Sequence, residues 1–176
     1  MEAEIPKLMV LRGNSGSGKS TTARALREKL GRGVAWIEQD HFRRIVLREH
    51  DLPGGVNIGL IDLNVRYALS HGYHVILEGI FHRERYAEML TQLYRDHPAQ
   101  SFFYYFDLDF EETVRRHATR PQATEFTPEM MQTWYTRKDL LPDVPETMLH
   151  SHLTLEDTLQ KILRDTGLGP AESPAR

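Results

Sequence analysis

The 176-residue chain contains no cysteine, which excludes disulfide scaffolds, catalytic thiols and cysteine-ligated zinc sites. It also lacks any apolar stretch near the ~20 residues that a membrane-spanning helix needs. Residues 1–7 lack the apolar core of a signal peptide. Because the absence of cysteine also fits a reducing compartment, these features together predict a cytoplasmic protein.

An excess of basic residues is missing as well. Lys and Arg total 22 against 25 Asp and Glu, a net charge of −3, which disfavours a globally basic nucleic-acid binder but leaves a local basic groove open. The hydrophobic fraction of 40% is enough for the core of one domain, which we expect over residues 1–166. Residues 167–176 are rich in Gly, Pro, Ser and Ala and are predicted to form a disordered tail.

A glycine-rich motif near the start carries the strongest functional signal. Residues 13–20 follow an apolar run, precede a helical pattern, and match the G-x-x-x-x-G-K-S phosphate-binding loop, in which backbone N–H groups and a helix N-terminus face the phosphates. Lys19 can reach the β- and γ-phosphates, and the Ser20 hydroxyl can ligate Mg²⁺. The motif therefore predicts ATP and Mg²⁺ as ligands, bound by Gly13, Asn14, Ser15, Gly16, Ser17, Gly18, Lys19, Ser20 and Thr21.

Short apolar runs alternate with longer helical patterns along the chain. This order predicts an α/β fold, a three-layer sandwich in which helices flank a five-stranded parallel sheet. The predicted strands are residues 7–12, 34–38, 73–77, 101–106 and 148–150. The predicted helices are residues 17–30, 42–50, 57–71 (capped by Asn57, with Leu63 among its apolar positions), 83–94, 110–117, 128–140 and 154–163.

Acidic residues follow two of the predicted strands, at the edge where parallel sheets bind ligands. Asp40 follows the second strand and can accept the proton of a hydroxyl that attacks the γ-phosphorus, serve Mg²⁺, or cap the next helix. Arg43 lies one helical turn further and can stabilise charge on the transferred phosphoryl group. Glu78 follows the third strand, where a carboxylate can hold Mg²⁺-bound water or a substrate group. The sequence does not decide whether Asp40 or Glu78 is the general base and which of them serves Mg²⁺.

A basic run ends the predicted helix at residues 110–117. Arg116 and Arg120 are interpreted as arginines that contact the nucleotide phosphates from a lid at about residues 117–127. Compensation of the helix dipole would explain Arg116 equally well, but explains Arg120, beyond the helix, less well. Thr127 and Pro128 then have the cap and first-turn character of a new helix.

With these motifs in place, the sequence resembles the AAA-type P-loop kinases of the small-molecule and polynucleotide 5′-kinase type. Zeta-toxin/UDP-sugar kinases and chloramphenicol phosphotransferase are neighbouring branches of that group. The likeness rests on the phosphate loop, on residues 40–43, which resemble the D-x-aromatic-R motif of polynucleotide kinase, and on the lid with the segment behind it. It implies the roles given above for Lys19, Ser20, Asp40, Arg43, Glu78 and Arg120.

The resemblance implies ATP-dependent phosphorylation of a hydroxyl on a small molecule such as a nucleoside, a sugar or an antibiotic-like compound. A polynucleotide 5′-hydroxyl kinase is the alternative, which the acidic net charge fits less well. A GTP switch would need an N-K-x-D motif after a strand, which the sequence lacks. A mechanical ATPase usually has an Asp-Glu pair at the end of the strand where this sequence has Glu78 alone. The sequence identifies neither the acceptor nor the oligomeric state.

Overall fold

The computed structural model of the protein describes residues 5–119 and 121–169. Its centre is a five-stranded sheet in the order β2-β3-β1-β4-β5, and every neighbouring pair is parallel. The strands are β1 (Leu8–Gly13), β2 (Val34–Glu38), β3 (His74–Gly79), β4 (Ser101–Asp107) and β5 (Glu146–His150). The predicted five-stranded parallel α/β architecture is therefore confirmed.

Helices cover both faces of this sheet. They are α1 (Lys19–Leu30), α2 (Val56–Ser70), α3 (Arg83–Asp96), α4 (Phe110–His117), α5 (Pro128–Trp134) and α6 (Leu155–Thr166). A π-helical turn at His41–Val46 follows β2, and a short 3₁₀ turn at Pro121–Thr124 follows α4. No helix in the described parts of the chain is both long enough and apolar enough to cross a membrane.

The alternating side chains of β1 divide the core into two layers. Leu8 and Val10 pack with residues of α2 and α3, whereas Met9 and Leu11 pack with residues of α1 and α6 on the other face. All four side chains are completely buried, as expected for the central strand of a sheet covered on both sides. The carboxyl end of β1, which leads into the phosphate loop, is thereby anchored in the middle of the molecule.

Two predicted helices differ from the structure. The helix at residues 128–140 ends at Trp134, because the chain then turns to extended backbone at Tyr135 and bonds to the phosphate loop. The helix at residues 42–50 is a π-helical turn, in which Leu47 N–H donates to the Phe42 carbonyl five residues back. Helical periodicity predicted neither feature: the end of α5 depends on a contact 122 positions away, and a π-helical turn has nearly the same apolar spacing as an α-helix.

The start of α2 also differs from the prediction that Asn57 caps it. Gly55 precedes the helix, and the carboxylate of Glu49 accepts the Asn57 N–H at 2.6 Å and the Val56 N–H at 3.3 Å. Asn57 itself is buried, and its side chain donates to Glu49. The carboxylate of Glu49, from the segment before α2, thus accepts the first N–H groups of this helix.

Side-chain caps begin three of the other helices, among them the cap predicted at Thr127. Asp109 accepts the Glu112 N–H at the start of α4, Thr127 accepts the Met130 N–H before α5, and Thr154 forms a capping box with Asp157 at α6. Gly167 ends α6 in a left-handed conformation, with φ of 70°. Residues 170–176 of the predicted tail lie outside the described residues.

Candidate active site

The phosphate loop is a tight strand-to-helix turn built on three glycines with positive φ. Gly13, Gly16 and Gly18 have φ values of 147°, 81° and 101°. A Cβ atom on Gly16 would lie 2.6 Å from the carbonyl oxygen of Thr113 in α4. Only glycine is compatible with both the backbone conformation and this close approach, so the loop keeps its backbone free to surround an anion.

Lys19 and Ser20 begin α1 directly after this turn. The Lys19 ammonium donates to the Asn14 carbonyl oxygen at 2.8 Å and to Ser17 Oγ at 3.3 Å, so its charge lies over the loop. Ser20 Oγ donates to Glu78 Oε1 at 2.9 Å. The fold thereby brings together a hydroxyl and a carboxylate, which are oxygen ligands of the kind that Mg²⁺ prefers.

Glu78 lies inside the end of β3 and is only 5% exposed. Burial raises the pKa of Glu78 to about 7, although the Lys19 charge and the Ser20 hydrogen bond act in the opposite direction. Glu38, which faces Glu78 in the register of β2 and β3, raises this pKa further. A desolvated carboxyl group next to another acid is a site where a bound cation is strongly stabilising.

Asp40 lies at the same edge of the sheet, two residues beyond β2, in a contrasting environment. Its side chain is 62% exposed and makes no capping bond to the π-helical turn. One of its oxygens lies 3.1 Å from an Arg43 nitrogen, and the other lies 4.0 Å from an Arg44 nitrogen. The predicted neighbours Asp40 and Arg43 are therefore in contact, and the carboxylate remains open to solvent.

Arg116 extends from α4 to the phosphate loop. Its guanidinium donates to Glu112 Oε1 at 2.6 Å, to the Ser17 carbonyl oxygen at 3.4 Å and to the Ser151 carbonyl oxygen at 3.2 Å. These contacts place the Arg116 charge beside the loop, where sequence analysis expected a phosphate contact. Arg120, the other predicted lid arginine, lies outside the described residues.

A cavity of ≈ 360 Å³ opens beside Ser17 and Gly18 of the loop. Its walls combine apolar side chains with hydroxyl groups and one guanidinium, so they can contact both the faces and the polar edges of a planar ring system. The strand residues Phe106 and Leu149 of this wall could not be told from core residues in the sequence, because both stand in apolar strands. The wall includes Thr21, Phe106, Arg116, Leu149, Leu153 and Thr158.

The Asn14 side chain forms two hydrogen bonds with the backbone of Thr136, which the sequence motif does not predict. Its side-chain oxygen accepts the Thr136 N–H at 2.9 Å, and its side-chain amide donates to the Thr136 carbonyl at 2.8 Å. The Asn14 side chain therefore holds the segment after α5 against the loop.

Arg12 is a second position that sequence analysis did not single out. It is completely buried one residue before the loop, and it donates to Glu146 Oε1 at 2.6 Å and to the Phe81 carbonyl oxygen at 2.8 Å. It also donates to the Asp139 carbonyl oxygen at 3.0 Å. A charged residue inside an otherwise apolar central strand was the available signal, since such a charge must be paired.

Histidines do not form a metal centre in the parts of the chain that the structure covers. The rings of His150 and His152 stack 5.9 Å apart, and His150 Nδ1 lies 3.4 Å from an Asp107 carboxylate oxygen. Within residues 5–119 and 121–169, no three His, Cys, Asp or Glu residues are grouped so that they could hold a metal ion.

Comparison with known proteins places this geometry in a family. The family described as "AAA domain" matches residues 8–137, which include the phosphate loop, Asp40, Glu78 and the lid. A search of curated proteins finds no match.

Solved structures of kinases share the fold. A gluconokinase from Sinorhizobium meliloti 1021 is 17% identical, with a TM-score of 0.63 over 93% of both chains. APS kinase CysC from Mycobacterium tuberculosis, in complex with AMPPNP and APS, is 20% identical, with a TM-score of 0.66 over 90% of this chain and 96% of the kinase. A chain of the Pnkp1/Rnl/Hen1 RNA repair complex is 23% identical, with a TM-score of 0.58 over 85% of this chain and 51% of that one.

Proposed function

The chain belongs to the AAA domain family, and from this premise we propose that it is an ATP-dependent kinase. It transfers the γ-phosphoryl group to a hydroxyl of a small-molecule acceptor such as a nucleoside, a sugar or an antibiotic-like compound. The resemblance to gluconokinase and APS kinase supports a small acceptor. The RNA repair complex supports a polynucleotide 5′-hydroxyl kinase as the second candidate.

The contrast between the two carboxyl groups at the sheet edge carries this proposal. Glu78 is buried and accepts a hydrogen bond from the Ser20 hydroxyl, whereas Asp40 is open to solvent. Two acids in opposite environments are suited to different tasks. We assign Glu78 and Ser20 to the Mg²⁺ side of the site, and Asp40 to the proton of the acceptor hydroxyl.

The other residues of the site bind and orient the reactants. Gly13 to Thr21 surround the phosphates with backbone N–H groups, and Lys19 exchanges its contact with the Asn14 carbonyl for a phosphate oxygen. Arg116 holds the nucleotide from the α4 side, and the cavity beside it receives the base. Ser20 and Glu78 would hold Mg²⁺, which would supply positive charge to offset the negative charge of the phosphates.

Transfer then requires one proton movement and one in-line displacement. Asp40 accepts the hydroxyl proton as the acceptor oxygen bonds to the γ-phosphorus and the bond to the β-phosphate oxygen breaks, which leaves ADP. Arg43, in contact with Asp40, and Arg120 stabilise charge on the transferred group. Most of the rate enhancement comes from positioning and electrostatics.

A screen with γ-labelled ATP over nucleosides, sugars, antibiotics and 5′-hydroxyl oligonucleotides tests the activity. Once an acceptor is found, Asp40→Asn is expected to lower kcat by at least ~10²-fold while the affinity for ATP stays within about twofold. Asp143→Asn, at an exposed acid before β5, is the matched control and is expected to retain full activity. Near-normal turnover of Asp40→Asn would exclude Asp40 as the base.

The oligonucleotide arm of the screen separates the two candidates. Phosphorylation of a 5′-hydroxyl oligonucleotide that falls steeply with salt would favour the polynucleotide kinase. Phosphorylation confined to small molecules favours the leading proposal. ATP hydrolysis at full rate without any acceptor would contradict both.

A further inference from the structure

Helix α2 is apolar on two opposite faces. Ile61, Val65 and Leu69 are buried against the sheet, as helical periodicity requires. On the opposite side, Val56 and Leu63 are 66% and 62% exposed. Leu63, which sequence analysis placed among the apolar positions of this helix, thus points away from the core.

The outer face continues as a stripe along the whole helix. Val56, Leu60, Leu63 and Tyr67 follow one another at intervals of four, three and four residues, which places them on one side. Tyr67 is 65% exposed. This spacing is that of a seam between packed helices.

Charged residues beside the stripe are already paired. Arg66 Nε lies 2.9 Å from an Asp62 carboxylate oxygen, and another Arg66 nitrogen lies 2.6 Å from Asp96. These three side chains carry one positive and two negative charges, so the flank of α2 offers no positive charge without an ion pair. A nucleic acid or an anionic membrane is bound mainly through Lys or Arg residues that lack an ion pair. Neither ligand therefore fits the flank of α2.

The chain that leads into α2 enlarges the apolar surface. Ile45, Val46 and Leu52 are 68%, 51% and 58% exposed. Leu52 accepts the Gly55 N–H at the start of α2, and the π-helical turn that contains Ile45 and Val46 packs against the helix. We call the side chains of Ile45, Val46, Leu52, Val56, Leu60, Leu63 and Tyr67 the α2 surface.

The size of the α2 surface matches one side of a protein interface. Six of its side chains are more than half exposed. Together they offer on the order of 700 Å² of accessible area, close to the ~800 Å² that each partner contributes to a standard interface. Monomeric proteins rarely expose apolar patches of this extent unless the patch binds something.

We propose that a second copy of this chain docks on the α2 surface and forms a two-fold symmetric homodimer. A two-fold interface uses the same patch on both subunits, so an uncharged stripe meets an uncharged stripe. Gly59 lies next to the stripe, and an added Cβ there would have no atom within 4 Å, so the partner helix has room to approach closely. The centre of the stripe places the symmetry axis near Leu60 and Leu63.

Sedimentation velocity and light scattering of the full chain test this proposal. The expected mass at tens of micromolar is twice the 20.4 kDa of one chain. Leu63→Glu is expected to give a monomer with an unchanged circular dichroism spectrum, because Leu63 makes no core contact. Leu155→Glu, at a leucine of α6 that is 42% exposed, is the matched control and is expected to remain a dimer.

Cross-linking tests the position of the interface. Since the chain has no cysteine, a single introduced cysteine can form a disulfide only between two molecules. Oxidation of Leu60→Cys or Leu63→Cys is expected to give covalent dimers, whereas Met130→Cys on α5 is expected to give none. These outcomes do not depend on kinase activity, so they separate this proposal from the proposed function.

A monomer at all concentrations, a dimer that survives Leu63→Glu, or equal cross-linking through Met130→Cys would overturn the proposal. Binding of the monomer to anionic phospholipid vesicles that is lost in Leu63→Glu would assign the α2 surface to membranes instead. That result would equally reject the homodimer.

Discussion

Glu78 shows most directly how the environment of one residue changes its chemistry. The pKa of Glu78 is raised to about 7 by burial, so the folded protein holds this proton more tightly than the unfolded chain, where the ordinary value is 4.5. The contribution of Glu78 to the free energy of unfolding of the ligand-free protein is therefore largest below pH 4.5. The Glu78 contribution is lost as the pH rises towards 7, and it changes little above that.

Glu78→Gln is expected to remove this pH dependence, because an amide does not ionise. At pH 8 the variant should exceed the parent in free energy of unfolding by about 3 kcal/mol, and at pH 4 the two should be similar. Urea denaturation without magnesium or nucleotide at these pH values measures the difference. Glu88→Gln, at an exposed acid of α3, should follow the parent, and parallel pH profiles for all three would contradict the prediction.

Asp40 could not be separated from Glu78 by sequence reasoning, since both are acids near the ends of neighbouring strands. The difference between them is solvent exposure, and neighbours far away in sequence create it. Ser20 is 58 positions from Glu78, whereas the contacts of Asp40 with Arg43 and Arg44 are local. The Asp40–Arg43 contact was therefore predictable, but the burial of Glu78 was not.

Among the elements, the end of α5 depends on a contact with the phosphate loop. Two hydrogen bonds join the Asn14 side chain to the backbone of Thr136, two residues beyond the helix. They explain why the helical pattern, which continues towards residue 140, is not followed. A loop that binds phosphate is thus also the anchor of the chain that leads to β5.

Asn14→Ala is expected to lower the free energy of unfolding by about 2 kcal/mol, because it leaves both backbone groups of Thr136 without these partners. Asn64→Ala is the matched control, since the Asn64 side chain donates only to the Leu60 carbonyl in its own helix, and its expected effect is below about 0.5 kcal/mol. Chemical denaturation of both variants measures the difference. Equal losses would argue against the role of Asn14 as an anchor.

At the scale of the whole molecule, Arg12 joins segments that lie far apart in the chain. Its guanidinium contacts Glu146 in β5, the Phe81 carbonyl after β3 and the Asp139 carbonyl before β5, all from the end of the central strand. Paired charges in such a buried position also fix which segments meet there. The residues of this network come from four parts of the sequence.

Arg12→Met is expected to lower the free energy of unfolding by about 3–5 kcal/mol, because Glu146 would be left as an unpaired buried charge. The double variant Arg12→Met/Glu146→Leu should recover part of that loss, since it removes both charges. Urea unfolding of the single and double variants completes the cycle. A double variant no more stable than Arg12→Met would show that the loss comes from the other Arg12 contacts.

The sheet was predictable because its strands are short apolar runs between helical patterns, and only a parallel arrangement lets the connecting helices cover both faces. Hydrophobic periodicity did not predict where the helices end or which side of α2 is exposed. Periodicity reports which residues are apolar, but it does not report which of two apolar faces meets the sheet. Leu63 had the apolar character of a core residue and proved to be exposed.

The amino-acid sequence by itself determined the phosphate loop, since three glycines, a lysine and a serine at fixed spacing encode that turn through local backbone conformation. The tertiary structure alone decided the environment of Glu78, the anchoring of Thr136 and the exposure of the α2 surface. Each of these depends on desolvation or on contacts between segments distant along the chain. Such effects arise only when the sheet has assembled and brought those segments together.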